Sequence, residues 1–173
     1  MIGRKCGSRF KLNEPGVGKN LSAAEPFMYN IVVIIMRGEA VQLKYLENPS
    51  IEPEAVAYLR KAVGWDQRLG QLRKVIGAAY LTVGCFYGDN LVGFVDVVSD
   101  GVDDALIRNL LVHPDYQGRG IALNLLKVVI ERLKDNRIKT INVLFEPKLF
   151  ELYRKAGFRI ICGGIIDNEA EEF

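Results

Sequence analysis

The residues best placed to do chemistry lie in one stretch, Val112 to Leu126 (VHPDYQGRGIALNLL), where an apolar run stops at a proline, two glycines follow and an amphipathic pattern begins. Gly118 and Gly120 can take left-handed backbone angles closed to most side chains, so the segment can turn tightly and aim successive N–H groups at one point. The helix predicted behind them adds the partial positive charge of its N-terminus. Such a cradle suits an anion, most naturally a phosphate.

The totals narrow the setting. A chain of 173 residues is predicted to form one main domain that buries roughly two thirds of its unfolded surface. A formal net charge of +2 is too small to point to nucleic acid or an acidic membrane as partner. Cys6, Cys85 and Cys162 are far apart and form no CxxC pair, so neither a disulfide framework nor a metal site is expected. A reducing, cytoplasmic setting fits them. The longest apolar run, Ile31 to Met36, falls well short of the roughly 20 residues that span a bilayer, so no transmembrane helix is expected.

The elements that must position the cradle can be read on either side of it. Residues 1–27 combine Gly, Ser, Asn and Pro with five basic residues and show no period; a flexible leader is expected, or a short organellar targeting peptide. Within it Gly16 to Asn20 has part of a P-loop, but Asn13 replaces the first glycine and Asn20 the metal-binding hydroxyl, which excludes that motif. The main domain is expected over 28–167. Tyr29 to Met36 and Val41 to Leu46 are predicted strands. Pro53 opens a helix that Gly64 ends, and a second helix follows with Trp65, Leu69, Leu72 and Ile76 on one side, which makes Trp65 a core residue by default.

Tyr80 to Tyr87 and Leu91 to Val98 flank Gly88-Asp89-Asn90, a hairpin signal, and Ala105 to Val112 adds a third strand to an antiparallel meander in which Gly93 marks a bulge. After the cradle, Ile121, Ala122, Leu125, Leu126, Val129 and Leu133 recur at helical spacing. Thr140 to Phe145 is the next strand, so this part is a right-handed crossover between parallel strands. A helix from about Pro147 to Ala156 ends at Gly157, β structure resumes over Phe158 to Ile161, and Asn168 to Phe173 is expected to be an acidic tail. The fold class is thus α/β (α+β): a mixed sheet, an antiparallel meander followed by one parallel βαβ crossover, with helices on both faces.

A dinucleotide does not suit this topology. Leu123 occupies the third glycine position of the Rossmann fingerprint, and too little chain follows Phe145 to wind the rest of that sheet. The combination instead resembles the GNAT superfamily of N-acetyltransferases. Gln117-Gly118-Arg119-Gly120-Ile121-Ala122 matches the family's acetyl-CoA loop at every fixed position, and similarity continues through Leu91 to Phe94 (LVGF), Leu110 to Ala122 and Leu152 to Phe158 (LYRKAGF). The turn before IRNLLVHPDYQ is similar to a plastid and bacterial branch that acetylates arylalkylamines or protein lysines.

The resemblance implies roles. Backbone N–H groups of Gln117, Gly118, Arg119, Gly120, Ile121 and Ala122 would hold the CoA pyrophosphate. Leu110, Leu111 and Val112 would pair with the pantetheine arm as an added strand would, and one of their N–H groups would polarise the thioester carbonyl. Tyr153 sits four residues before Gly157-Phe158, where the family keeps its acid; a phenol can donate to the departing thiolate. Read without the family, it is a buried tyrosine beside Phe150.

An alkyl ammonium is neutral only about once in several thousand molecules at pH 7, so a base or water relay is needed. Asp104 at the entrance of the third meander strand and Glu146 just past the next strand are the candidates, although the solvated strand end is the better default reading of each. The resemblance places Asn109 where branch relatives often carry an acid, a departure that argues against a strand-borne base. His113, the one histidine, is expected to cap the turn rather than act as a base, and Asp96 and Arg108 are expected to pair across adjacent strands, the alternative being that they face the acceptor. The family's acceptor wall falls here around Val63 to Leu72, making Trp65 the aromatic candidate for acceptor contact.

The expected reaction is direct transfer from acetyl-CoA to a primary amine, with no metal; the rival is an idle acyl-CoA sensor. The sheet lacks an obvious last strand, because Gly163-Gly164 breaks Cys162 to Asp167. Tyr29 to Met36, from the same chain or from a second copy in a homodimer, is a candidate to complete it.

Overall fold

The computed structural model describes residues 28–36 and 39–166. The leader over 1–27 and the tail over 168–173 lie outside them. Six strands form one sheet in sequence order: β1 (Met28–Met36), β2 (Glu39–Glu47), β3 (Leu81–Tyr87), β4 (Asn90–Ser99), β5 (Asp104–Val112) and β6 (Thr140–Val143). All neighbours are antiparallel except β5 and β6, which run parallel. Between β2 and β3 come α1 (Pro53–Ala62) and α2 (Leu69–Gly77); α3 (Ile121–Asp135) makes the crossover, and α4 (Phe150–Lys155) follows β6.

The sheet is buried on both faces because its central strands are apolar at almost every position. Six consecutive residues of β4, Val92 to Val97, are buried. Leu125, Leu126, Val129 and Leu133 of α3 pack with Val83, Cys85, Val95 and Val97 on one face, while Val56, Leu59 and Leu72 of the two early helices pack with Phe94 and Leu111 on the other. Gly93 permits the first contact. A Cβ there would lie 3.1 Å from Ile121 Cγ2 and from Leu125 Cδ1, closer than α3 allows without shifting. The ladder skips Val92 beside it, between the pairs Cys85–Gly93 and Phe86–Leu91.

Three expectations are corrected. Phe158 to Ile161 is irregular, and no strand occurs from Phe158 through Ile166; extended chain gains ladder bonds only beside a partner, and the four-residue β6 offers a short edge. Tyr29 to Met36 does not complete that side, since it pairs with β2 at the opposite edge, where a hairpin with its sequence neighbour costs far less closure entropy than a return across the sheet. Trp65 is not core. Gly64 turns left-handed at φ 83 and α2 begins only at Leu69, so Trp65 falls in the connection and is 44 % exposed.

Candidate active site

The site begins as an interruption in the sheet. Strands β5 and β6 pair from Asp104–Thr140 to Ile107–Val143 and then part, although β5 runs on for five residues. On its other side β5 carries one residue too many: Phe94 faces Leu111 and Asp96 faces Arg108, so Asn109 and Leu110 oppose Val95 alone. Asn109 takes up the excess with φ 47, a conformation asparagine tolerates better than most side chains. A bulge bends its strand and increases its twist. The end of β5 turns away from β6, and among the described residues Arg108 to Val112 have no strand partner on that side.

The free edge leads into the cradle. His113 caps the short 3-10 turn Pro114–Tyr116 by accepting from the Asp115 N–H at 3.3 Å, and its ring stacks on Tyr58 at 5.6 Å. Gln117 Nε2 donates to the Val112 carbonyl at 2.9 Å, tying the loop to the strand end. Gly118 and Gly120 then take φ 73 and φ 80. Among the described residues no N–H from Gly118 to Leu123 donates to a protein acceptor; the first bond of α3 is made by Asn124 to the Gly120 carbonyl, at 3.0 Å. These orphan donors, at the positive end of a 15-residue helix, suit a pyrophosphate in charge and chemistry. Arg119 flanks them, bonded to the Asp115 carbonyl at 3.1 Å and to the Ile35 carbonyl at 3.3 Å, with its buried Nε unpartnered.

Tyr153 stands on α4 within the same apolar cluster as Val112 and Ile121. It is 3 % exposed, stacked at 4.3 Å on Phe145, just past the point where β6 leaves β5, and edge-on to Phe158 at 5.7 Å. Burial pushes its phenol up to about 12. Its hydroxyl makes no hydrogen bond among the described residues.

The two carboxylates nominated as bases are separated. Asp104 opens β5, exposed and 3.4 Å from the Asn142 amide, about 25 Å along the strand from Val112 at roughly 3.3 Å per residue. That places it at the wrong end of the strand for an acceptor beside the cradle. Glu146 follows β6 on the diverging side, exposed and paired with Lys148 at 2.6 Å.

On the other face of the sheet lies a cavity of about 250 Å³, lined by Arg60, Arg68, Gln71, Leu72, Val75, Arg108 and Asn109. Beneath it Asp96 is fully buried. Arg108 donates to one of its oxygens through Nη2 at 2.5 Å and Nε at 3.1 Å, and Asn109 donates to the other at 2.6 Å. The expected cross-strand pairing of Asp96 and Arg108 is present. Arg60 spans from α1 to the bulge, donating to Asn109 Oδ1 at 2.9 Å and to the Asp66 carbonyl at 2.6 Å, while its guanidinium lies 5.2 Å over the Trp65 ring. Trp65 is thus joined to the cavity lining through Arg60. Neither Arg60 nor Arg68 stood out in the sequence, since both lie on the polar side of their segments. No group of three metal-ligating side chains occurs among the described residues.

The sequence matches the family described as acetyltransferase (GNAT) domain over residues 48–167. The chain belongs to the GNAT acetyltransferase family. It is 30% identical over 127 residues, covering 70% of each chain, to an uncharacterized N-acetyltransferase, ycf52, of Gracilaria tenuistipitata var. liui. Similarity to a histone acetyltransferase of Glycine max is 26% over 140 residues, 74% of this chain and 61% of the other. Among solved structures, a GNAT-family acetyltransferase from Streptococcus pneumoniae superposes with a TM-score of 0.65 at 27% identity, covering 75% of this chain and 99% of that one. A CoA-bound aminoglycoside N-acetyltransferase shares the fold at 15% identity and a TM-score of 0.59, with 78% and 99% covered. The GNAT fold, with its mixed sheet and crossover, is thus established, and acetyl transfer is the activity the family supports. No helix among the described residues is long and apolar enough to cross a membrane.

Proposed function

We propose that the protein transfers the acetyl group of acetyl-CoA directly to a primary amine. The observation that carries this reading is the row of orphan N–H groups from Gly118 to Leu123, placed immediately beyond the unpartnered edge of β5. The pyrophosphate would sit on that row, and the pantetheine arm would lie along Leu110 to Val112 in the gap that β6 vacates, taking the bonds a further strand would make. One N–H of that edge would polarise the thioester carbonyl.

The neutral amine nitrogen attacks the carbonyl carbon, the C–N bond forms, and the C–S bond breaks as the tetrahedral intermediate collapses. Sulfur gains a proton and nitrogen loses one, giving an amide and CoA thiol. Tyr153 is the donor to sulfur. With its phenol held near 12 it stays protonated at working pH, and it recovers its proton from the one the nitrogen sheds. Glu146, through water, is the candidate to strip an incoming ammonium. Cys85 is buried and its thiol is pushed up to about 12 by burial, which disfavours an acyl-cysteine route. Relatives named chloroplastic make an organellar setting compatible with this activity.

The test is release of CoA thiol from acetyl-CoA in the presence of an amine panel, with acetylated product identified by mass. Thiol release matched by product establishes the transferase. Binding of acetyl-CoA with no release for any amine would replace it with an acyl-CoA sensor.

A further inference from the structure

We infer that Arg60 is a positioning residue for the transfer: with Asp96 it clamps the side chain of Asn109, and the clamped bulge fixes which N–H groups of β5 face the thioester. This rests on the transferase reading and adds to it a residue on α1, outside the strand that does the polarising.

The bulge reverses the way β5 faces. Before it, Ala105 and Ile107 pack in the cluster under α3; after it, Val112 belongs to that cluster and Leu111 to the one under α1 and α2. Side chains alternate along a strand, so odd-numbered residues face α3 on one side of Asn109 and even-numbered ones on the other. The backbone groups reverse with them. Upstream, the Asp103 carbonyl accepts from Thr140 on the β6 side at 2.8 Å, and the Asp104 carbonyl accepts from Asp100 on the β4 side at 3.3 Å. Downstream, His113 donates to the Val92 carbonyl on the β4 side at 2.9 Å, and the Val112 carbonyl points away from β4 to Gln117. Leu110 and Val112 therefore aim their N–H groups into the gap. A ladder without the extra residue would aim Leu111 there instead.

Asn109 holds this reversal by its side chain. Its amide nitrogen donates to the buried Asp96 of β4 at 2.6 Å, and its amide oxygen accepts from Arg60 of α1 at 2.9 Å. A carboxylate only accepts and a guanidinium only donates, so the amide has one orientation with both ends engaged. Asp96 is itself oriented by Arg108, the residue before the bulge. Arg60 comes from another layer: it also donates to the Asp66 carbonyl at 2.6 Å and lies over the Trp65 ring. Its place is thus set by α1 and the connection behind it, independently of the sheet. Without Arg60 the left-handed Asn109, at φ 47, is held by Asp96 alone, and the N–H groups of Leu110 and Val112 follow its backbone. A group that polarises a carbonyl must keep its place to within about 0.5 Å, and loss of one such donor costs about 10²-fold or more in turnover.

Two variants break the clamp from opposite ends. Arg60→Met keeps the apolar stem and removes the donor, and Asn109→Gly keeps the backbone conformation and removes the amide. Each should lower kcat about tenfold or more while KM for acetyl-CoA stays near the native value, since the cradle lies beyond the bulge. Arg60→Lys, which can still donate to Asn109, should recover part of kcat. The double variant should be no slower than the slower single one, because both changes break the same clamp. A spectroscopic signature separates positioning from packing: the isotope-edited infrared stretch of the acetyl carbonyl in bound acetyl-CoA should move to lower frequency in the native protein and return toward the free value in both variants. Native kcat with native carbonyl frequency in either variant overturns the assignment, as do losses that multiply in the double variant. Should Arg60→Met fail to fold, Asn109→Gly carries the test by the same two readouts. If no amine is acetylated by the native protein, the transferase reading fails, and the infrared measurement judges the clamp alone. A native shift that Asn109→Gly and Arg60→Met lose supports it, and no shift in the native protein overturns it.

Discussion

Asn109 donates its side-chain amide to the fully buried Asp96 at 2.6 Å while its own backbone stands out of the β5 ladder at φ 47. One residue thus makes the bulge that parts β5 from β6 and completes the shell of donors around the carboxylate under the cavity. Asn109→Asp would set a second carboxylate against Asp96 in place of a donor. We expect it to lower unfolding stability by about 3 kcal/mol at pH 7, the scale for breaking a buried charge network. Asn109→Gly, which keeps the backbone conformation, should cost less than Asn109→Ala. Urea unfolding of the three variants checks the order.

Tyr153→Phe removes a hydroxyl that has no protein partner among the described residues and keeps both ring contacts. Its stability at neutral pH should stay within about 0.5 kcal/mol of the native value, and acetyl-CoA affinity should be retained. Turnover should fall by about 10²-fold or more, the usual size of a general-acid contribution. Single-turnover rates with acetyl-CoA affinity measured separately distinguish this from a packing role, which would move stability instead.

The same residue sets an alkaline signature. Its folded pKa of about 12 lies above the unfolded value near 10, so the folded state holds the proton more tightly. The stabilisation is complete below pH 10 and disappears as pH rises toward 12, because the unfolded chain ionises first. The native protein should therefore lose stability over pH 10 to 12 more steeply than Tyr153→Phe. Parallel slopes in denaturant titrations across that window would contradict the burial of the phenol.

Much of this site was legible because its signals are local. The hairpin at Gly88 to Asn90, the β-branched and aromatic runs of β3 and β4 and the helical period behind Gly120 each depend on residues a few positions apart. The glycine pair declared the cradle for the same reason. The bulge at Asn109 was not legible, since an extra residue in β5 has meaning only against the count of residues in β4. Arg60 and Arg68 carried no signal in the sequence, because they line a common cavity only when α1, α2 and β5 meet in space. Trp65 misled because apolar spacing extended a helix backward past Arg68, whose φ of 48 marks where α2 actually begins. Phe158 to Ile161 carried β-forming residues, but a strand needs a neighbour that no local pattern can promise.

Gly120→Ala separates loop geometry from space in the cradle. A Cβ at Gly120 would meet nothing within 4 Å, so the whole cost is the left-handed φ of 80, about 1–2 kcal/mol for a residue with a side chain. Relief of that strain rotates the N–H groups that face the pyrophosphate. We expect a raised KM for acetyl-CoA with little change in amine KM. Arg119→Ala should raise acetyl-CoA KM less, because its guanidinium is already occupied by the Asp115 and Ile35 carbonyls. Steady-state kinetics with each substrate varied in turn decides it.

Gly93→Ala tests the opposite case, in which space is limiting and φ is not. The new methyl would press on Ile121 and Leu125 at 3.1 Å and on Cys85 at 3.2 Å, and Ile121 is the first residue of the helix whose N-terminus forms the cradle. Overpacking of this kind costs about 1–3 kcal/mol, and the displacement it forces is passed along α3 to the donors that hold the cofactor. Stability and acetyl-CoA affinity should therefore fall together. Leu125→Val removes one of the two methyl groups in conflict, so the double variant should be more stable than the sum of the two single changes allows. A double-mutant cycle by chemical denaturation measures that coupling, and strict additivity would show that Gly93 does not set the distance between the sheet and α3.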